Sequence, residues 1–535
     1  MRRLLAVLLA LGLTLGALGA VQAEGDKTAT LASALEINLE GMPIVNEKVD
    51  VTIMAYVPTG AESYDKLLFT SEMEERSNVH VNWVEVSPLA VEEKVNLALA
   101  SGDIPDAFFK CAISNQIQER YSQDGIFVPL NDYLETYMPA FNAALNTYGD
   151  LGPSIAMSDG TIYGVPYTNG IPSMGGGPNG WYNKKFYDKL GLSEPKTLEE
   201  FYDVLVAIRD GDPNGNGQAD EIPFLASIES AVGYIMGAYQ LRNRGTSSGY
   251  IDADPEDPDK VRFYPTDSKY REALDFVRRL WEENLLDHEN TEDSDIAARI
   301  AKYNADRVGF TLELYTQLDK AGVDFAHITQ PLEGPYGQGI ANKSATSYGG
   351  GNFIITSACE NPEVLCRWVD YFYTDEGMEL FFMGVEGETF IRNEDGTLRY
   401  TDEILNNPDG LSYVQAFGQY LCWGDGRNPA LLSEKYFQGG AEMTPQQLSL
   451  AEALEPYVPE EIWPAFTATE EEAKFFSTNG VDIETMVEEF RAGWVAGTME
   501  NTDEVWEQYV AQLNSMGLEQ YTAYKQAAYE RYKGE

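Results

Sequence analysis

The chain has 535 residues, more than one hydrophobic core usually serves, so two domains are the default count. Its 86 acidic and 37 basic residues leave a formal net charge of −49. Such a surface repels nucleic acid and anionic lipid, and it disfavours an anionic ligand unless local basic groups oppose the field.

Taken in order, the chain opens on Arg2 and Arg3, runs apolar from Leu4 to Val21 and reaches a small-residue cleavage site at Ala23. This reads as a secretory signal over 1–23, with a membrane anchor as the alternative for the same run. The run is followed by no Cys, so a lipid anchor at the cleavage site is excluded, and the product is expected to be extracellular or cell-surface associated. Residues 24–48 are polar and acidic and are expected to be a flexible lead-in. Strands are expected at Val51–Tyr56, Val79–Val86 and Asp106–Phe109, with helices near Lys66–Arg76 and Glu92–Ala100 between them. Strands alternating with helices indicate an α/β class with a largely parallel sheet. Helical patterns follow at Leu198–Ile208 and Tyr270–Glu283, strands at Asp306–Thr311 and Asn352–Thr356, and an aromatic-rich helical tail over Asp482–Tyr532. Cys111, Cys359, Cys366 and Cys422 are too few to define the fold by disulfides; Cys359 and Cys366 are near enough in sequence to pair, or are two buried thiols.

The segment Asp210–Glu221 carries oxygen-bearing side chains at alternate positions, with glycines that let the backbone wrap. Calcium takes about six to eight oxygens at roughly 2.3–2.6 Å, from carboxylates, amides and carbonyls. Counted from Asp210, the run fits an EF-hand pattern. Counted from Asp212, it makes a tighter loop of Asp212, Asn214, Asn216, the Gln218 carbonyl, Asp220 and Glu221. The second register is preferred because it uses both terminal carboxylates. A solvated Asx/Gly turn would use the same residue types. Calcium here is expected to be structural.

Catalytic signatures are poor. The three histidines, His80, His288 and His327, have no paired spacing. Gly245–Gly249 matches G-x-S-x-G but lacks the strand before and the helix after that a nucleophile elbow needs.

Several segments together resemble the bacterial extracellular solute-binding proteins of family 1. They are Leu99-Ala100-Ser101-Gly102-Asp103 with Pro105-Asp106, Asp159–Pro166, and Trp181–Lys185 followed by Leu190–Leu192 and Pro195–Phe201. The Asp210–Glu221 loop with Ile222-Pro223, then Asn284–Asp287, Gly384–Gly387 and Gln526–Tyr532, continue the same order. The resemblance runs from about Val49 to Lys533 and is carried by the succession of motifs. It implies an α/β, two-lobed periplasmic-binding-protein-like fold of type II, with a hinge crossed more than once and a helical C-terminal extension. It implies capture of an oligosaccharide for the permease subunits of an ABC importer, by a monomer. In alginate-binding relatives the second register of the loop holds Ca²⁺, which carries over onto Asp212, Asn214, Asn216, Gln218, Asp220 and Glu221. Many Gram-positive members of this branch are lipoproteins, and here the lipobox Cys is missing.

The expected division is lobe 1 over 49–166, lobe 2 over 167–305 with the loop at 210–221, a return to lobe 1 over 306–372, and completion of lobe 2 with the C-terminal helices over 373–535. The Gly349–Gly351 run lies where the chain could cross between lobes. Sugars need flat aromatic platforms edged by Asp, Asn, Glu and Arg. Candidates are Trp423 in a Gly-flanked loop, Tyr315 with Glu313 after the strand at Val308–Thr311, Trp181 after Gly175–Gly180, and Tyr56 at the end of the first strand. Trp368 and Trp506 read as core. A secreted polysaccharide-degrading enzyme and a peptide receptor of the same fold are the alternatives.

Overall fold

The computed structural model describes residues 35–58, 60–171, 179–289, 296–312, 324–347, 349–411, 413–436 and 445–534. The expected signal segment, Glu313 and Tyr315 lie outside them.

The first core is built on a five-stranded sheet in the order Val79–Val86, Val49–Tyr56, Ala107–Phe109, Phe353–Ile355, Gly164–Val165. Val49–Tyr56 runs parallel to both neighbours, and the strand from 353 is antiparallel. Its period of two explains its central place. Val51, Ile53 and Ala55 enter one apolar cluster, while Met54 and Tyr56 enter another on the opposite face. The lead-in from 35 is packed rather than loose: Ile44 and Val45 are fully buried, their amides bond to the Ser77 carbonyl, and Arg367 donates to the Gly41 carbonyl at 2.9 Å. Apolar Ile44 and Val45 at the end of that polar stretch are what seat it.

The second core is built on four strands in the order Phe325–His327, Trp181–Asn183, Val308–Thr311, Ile222–Leu225. The return to the first sheet expected at 306 does not occur there. Val308–Thr311 runs parallel to Ile222–Leu225, and Phe310 packs in the second apolar cluster. The chain re-enters the first sheet only at Phe353, and the stretch from Phe390 to Tyr436, expected in lobe 2, buries its apolar residues in the first cluster. Val308–Thr311 is buried along its whole length, so its sequence carries no sign of which sheet accepts it. The C-terminal helices Val481–Val495, Asp503–Ser515 and Leu518–Lys533 cover the second core with Phe490, Trp494, Tyr509 and Tyr521. Trp368 is 1% exposed in the first core, and Trp506 is partly buried against the second.

Among the described residues, cluster membership changes from one core to the other three times, between 171 and 181, between 341 and 353, and between 436 and 450. At the base of these crossings Thr168–Asn169 pairs with Leu431–Leu432, and Thr168 bridges to Ser347. The Gly349–Gly351 run lies in the second crossing. The close approach there needs glycine: a Cβ on Gly164 would lie 1.9 Å from the Gly350 carbonyl oxygen. The tail also touches the first core, where Thr467 Oγ1 accepts from Asn115 Nδ2 at 3.1 Å and donates to the Ala156 carbonyl at 2.8 Å. All four cysteines are free thiols, which settles Cys359 and Cys366 as two thiols. Gly245–Gly249 lies in turns between the helical turn Met236–Tyr239 and the strand Ile251–Ala253, with no helix opened after it.

Candidate ligand cleft and cation loop

Register fixes which edges of the two sheets face the crossings. Phe353, where the chain re-enters the first sheet, pairs with Phe109 at the carboxyl end of its strand and with Val165, from which the chain leaves. In the second sheet Trp181, where the chain enters, pairs with Thr311 at the carboxyl end of its strand. Both sheets thus turn the carboxyl ends of their parallel strands toward the crossing segments, the edge at which α/β folds bind ligands.

On the first lobe that edge carries Tyr56, Lys110 and the loop Cys422–Asn428, which leads directly into the crossing strand Leu431–Leu432. Lys110 is fully buried. Its Nζ donates to the carbonyls of Cys422 at 2.5 Å and Gly424 at 2.9 Å, and to Asn428 Oδ1 at 2.7 Å. Asn428 Nδ2 closes the loop on the Trp423 carbonyl at 3.0 Å. Burial pushes the Lys110 amine down to about 7. The three oxygens pull the other way, since only the ammonium has three N–H donors. Above this clamp Asp425, Gly426 and Arg427 follow one another at φ of 60°, 66° and 58°. Left-handed backbone at two non-glycine residues, on either side of a glycine, is costly and persists where surroundings enforce it. The result is that the Asp425 carboxylate accepts from the Tyr56 hydroxyl at 3.0 Å, while the Arg427 guanidinium lies 4.7 Å from the Tyr56 ring centre. Burial, then the facing Asp425 carboxylate, pushes the Tyr56 hydroxyl up to about 12, so it is a neutral donor.

The expected aromatic residues fare unequally. Tyr56 stands at this edge but is 4% exposed, its hydroxyl turned to Asp425. Trp423 stands in the loop but is 8% exposed, its ring stacked on Phe417 at 4.1 Å, where it supports the loop from below. Trp181 is 1% exposed inside the second core, edge-on to His327, so the glycines before it do not expose it. Lys110, Asp425, Arg427 and Asn428 were not singled out from sequence. Asp425 and Arg427 alternate with glycines beside Trp423, a local signal; Lys110 gives none.

On the second lobe the loop after the helix Leu198–Asp210 gathers the expected residues. Asp212 Oδ1 and Oδ2 accept from the amides of Gly215 and Gly217 at 2.9 and 3.1 Å, both glycines having positive φ. The Nδ2 groups of Asn214 and Asn216 both reach Asp220 Oδ1, at 3.2 and 3.0 Å, and the Gln218 amide donates to Asn216 Oδ1. The Asn216 amide, with smaller help from Asn214 and Arg307, holds the Asp220 carboxyl below its ordinary range. Lys189 Nζ donates to the Asp212 carbonyl at 2.7 Å, and Arg307 Nε to the Asp220 carbonyl at 2.6 Å. Asp210 is outside this knot, held by Arg209 through both carboxylate oxygens, which favours counting the loop from Asp212.

The donor set fits a hard cation in its chemistry. Glu221 Oε1 is buried without a hydrogen-bond partner, and every converging group can offer oxygen. For Asn214 and Asn216 to do so, their amides must turn over, since nitrogen now faces Asp220. Among the described residues no three His, Cys, Asp or Glu side chains gather as a metal site, so amide and backbone oxygens would have to complete it.

The model of the bacterial extracellular solute-binding protein family matches residues 57–379, and the chain belongs to that family. It is 27% identical to the fructooligosaccharide ABC transporter substrate-binding protein FusA of Streptococcus pneumoniae, over 94% of both chains. It is 27% identical to the polygalacturonan/rhamnogalacturonan-binding protein YtcQ of Bacillus subtilis over 34% of each. Among solved structures, FusA of S. pneumoniae with kestose superposes with a TM-score of 0.71 at 23% identity, covering 91% of this chain and 100% of that one. The alginate-binding protein AlgQ2 without calcium gives 0.67 at 22%, covering 91% and 98%. These likenesses establish the two-domain α/β fold of solute-binding proteins.

Proposed function

We propose that this protein captures an oligosaccharide between its lobes and hands it to the permease subunits of an ABC importer, acting as an exported monomeric receptor without catalysis. The observation that carries the reading is the opposition of two carboxyl edges across three crossings, with hydrogen-bonding groups held rigidly on one of them. Its support from relatives is the near full-length similarity to a substrate-binding protein for fructooligosaccharides. On this reading the first lobe comprises 35–171 with 345–436, and the second 179–341 with the tail from 445. Tyr56, Asp425 and Arg427 form the first lobe's contribution, Trp423 braces their loop, and Glu313 and Tyr315, outside the described residues, remain candidates from sequence.

A ligand touching both lobes stabilises the closed arrangement, and the open one loses population accordingly. Shifting such an equilibrium from 1:99 to 99:1 takes about 5.5 kcal/mol of preference. The second-lobe loop would hold a structural Ca²⁺ through Asp212, Asn214, Asn216, Gln218, Asp220 and Glu221. Bound there, the ion would supply positive charge to carboxylates otherwise held by amides and two basic side chains.

A thermal-shift screen of the exported chain in calcium buffer, against oligosaccharides of several classes and against peptides, tests the reading. It expects a saturable rise in melting temperature with one glycan class, and no new reducing ends or unsaturated products on incubation. A shift with peptides alone, or glycan cleavage, overturns it.

A further inference from the structure

Arg427 stands out in the electrostatics of the cleft edge. The chain has 86 acidic residues to 37 basic ones, and among the described residues most arginines are tied to a carboxylate or carbonyl. Among the described residues Arg427 has neither; its guanidinium rests on the Tyr56 ring, 4.7 Å from its centre. The neighbouring acid does not serve it, because the Asp425 carboxylate is directed to the Tyr56 hydroxyl at 3.0 Å. The backbone holds the arginine in this position at a φ of 58°, on a loop pinned from beneath by Lys110 through three oxygens. A half-buried guanidinium with free N–H groups, at the ligand edge of an acidic protein, is a fork suited to a carboxylate.

We propose that Arg427 determines specificity, and that the hinge-side corner of the first lobe takes the carboxylate of an acidic, uronate-type sugar unit. The proposal rests on the oligosaccharide-binding reading and narrows its substrate class.

The test is calorimetric titration of the full exported chain with oligogalacturonides, oligoalginates and oligoglucuronates, each beside its carboxyl-reduced neutral counterpart, and with neutral fructo-, gluco- and xylo-oligosaccharides. At least one acidic series should bind, and its reduced counterpart should bind at least tenfold more weakly. Arg427→Gln should lose at least tenfold for the acid and distinctly less for the reduced form. The loss should shrink as salt rises. Tight binding of a neutral sugar with none of the acids, or an acid bound equally by Arg427→Gln, overturns the proposal and leaves the oligosaccharide reading standing. Binding of no sugar of either kind overturns both.

Discussion

The loop at 422–428 in the first lobe and the loop at 210–221 in the second both turn oxygens inward over glycines of positive φ. They differ in where the cation comes from. In the first, Lys110 supplies it from inside the chain, fully buried, with three oxygens on one ammonium. In the second, the carboxylates of Asp212 and Asp220 meet backbone and side-chain amides, Lys189 holds the Asp212 carbonyl, Arg307 holds the Asp220 carbonyl and lies 3.5 Å from its carboxylate, and Glu221 Oε1 is left without a partner. An oxygen-lined loop needs positive charge at its centre to be rigid. One lobe has it built in, and the other is set up to receive it.

The contrast can be broken at its strongest point by Lys110→Met. That change leaves three buried oxygens without a donor, and unsatisfied buried groups cost about 1–3 kcal/mol each. Urea unfolding should show a loss of roughly 3 kcal/mol or more in the first lobe, unaffected by calcium. A loss below roughly 1 kcal/mol would mean the ammonium is not what holds the loop.

Chelation should act on the other lobe. Calcium at a hundred times its dissociation constant adds about 2.7 kcal/mol. A chelator should therefore lower the melting temperature of the parent and of Lys110→Met alike, while Glu221→Gln should respond far less. An identical melt with and without chelator would remove the structural cation from the account.

The smallest effect is expected at the rim. Lys189 is exposed, and its ammonium on the Asp212 carbonyl places a positive charge beside the carboxylates that would take a cation. Lys189→Met should cost less than about 1 kcal/mol of stability and tighten calcium binding by roughly two- to fivefold. Weaker calcium binding in this variant would show that the lysine organises the loop instead.

The two loops also differ in how far they can be read from sequence. The second is a local pattern, with alternating Asp, Asn and Gly inside twelve positions, and within it Asn214 and Asn216 meet at Asp220. The first is not local, because 312 residues separate Lys110 from the carbonyl of Cys422. Trp423 drew notice through its flanking glycines, yet its ring is there to stack on Phe417, and the polar residues beside it reach Tyr56. Strands and helices followed their periodicities closely: Thr197 caps the helix from Leu198, and Gly102 ends the helix Val91–Ser101. Sheet membership was less legible. Val308–Thr311 read correctly as a strand and was assigned to the wrong sheet, since a short run buried on both faces fits either.

Capture by closure is tested most directly by small-angle X-ray scattering on the exported chain in calcium buffer, alone and saturated with the oligosaccharide that raises its melting temperature most. A smaller radius of gyration on saturation is the predicted result, as the two carboxyl edges close on the sugar. Saturable binding with unchanged dimensions would contradict a ligand held between moving lobes.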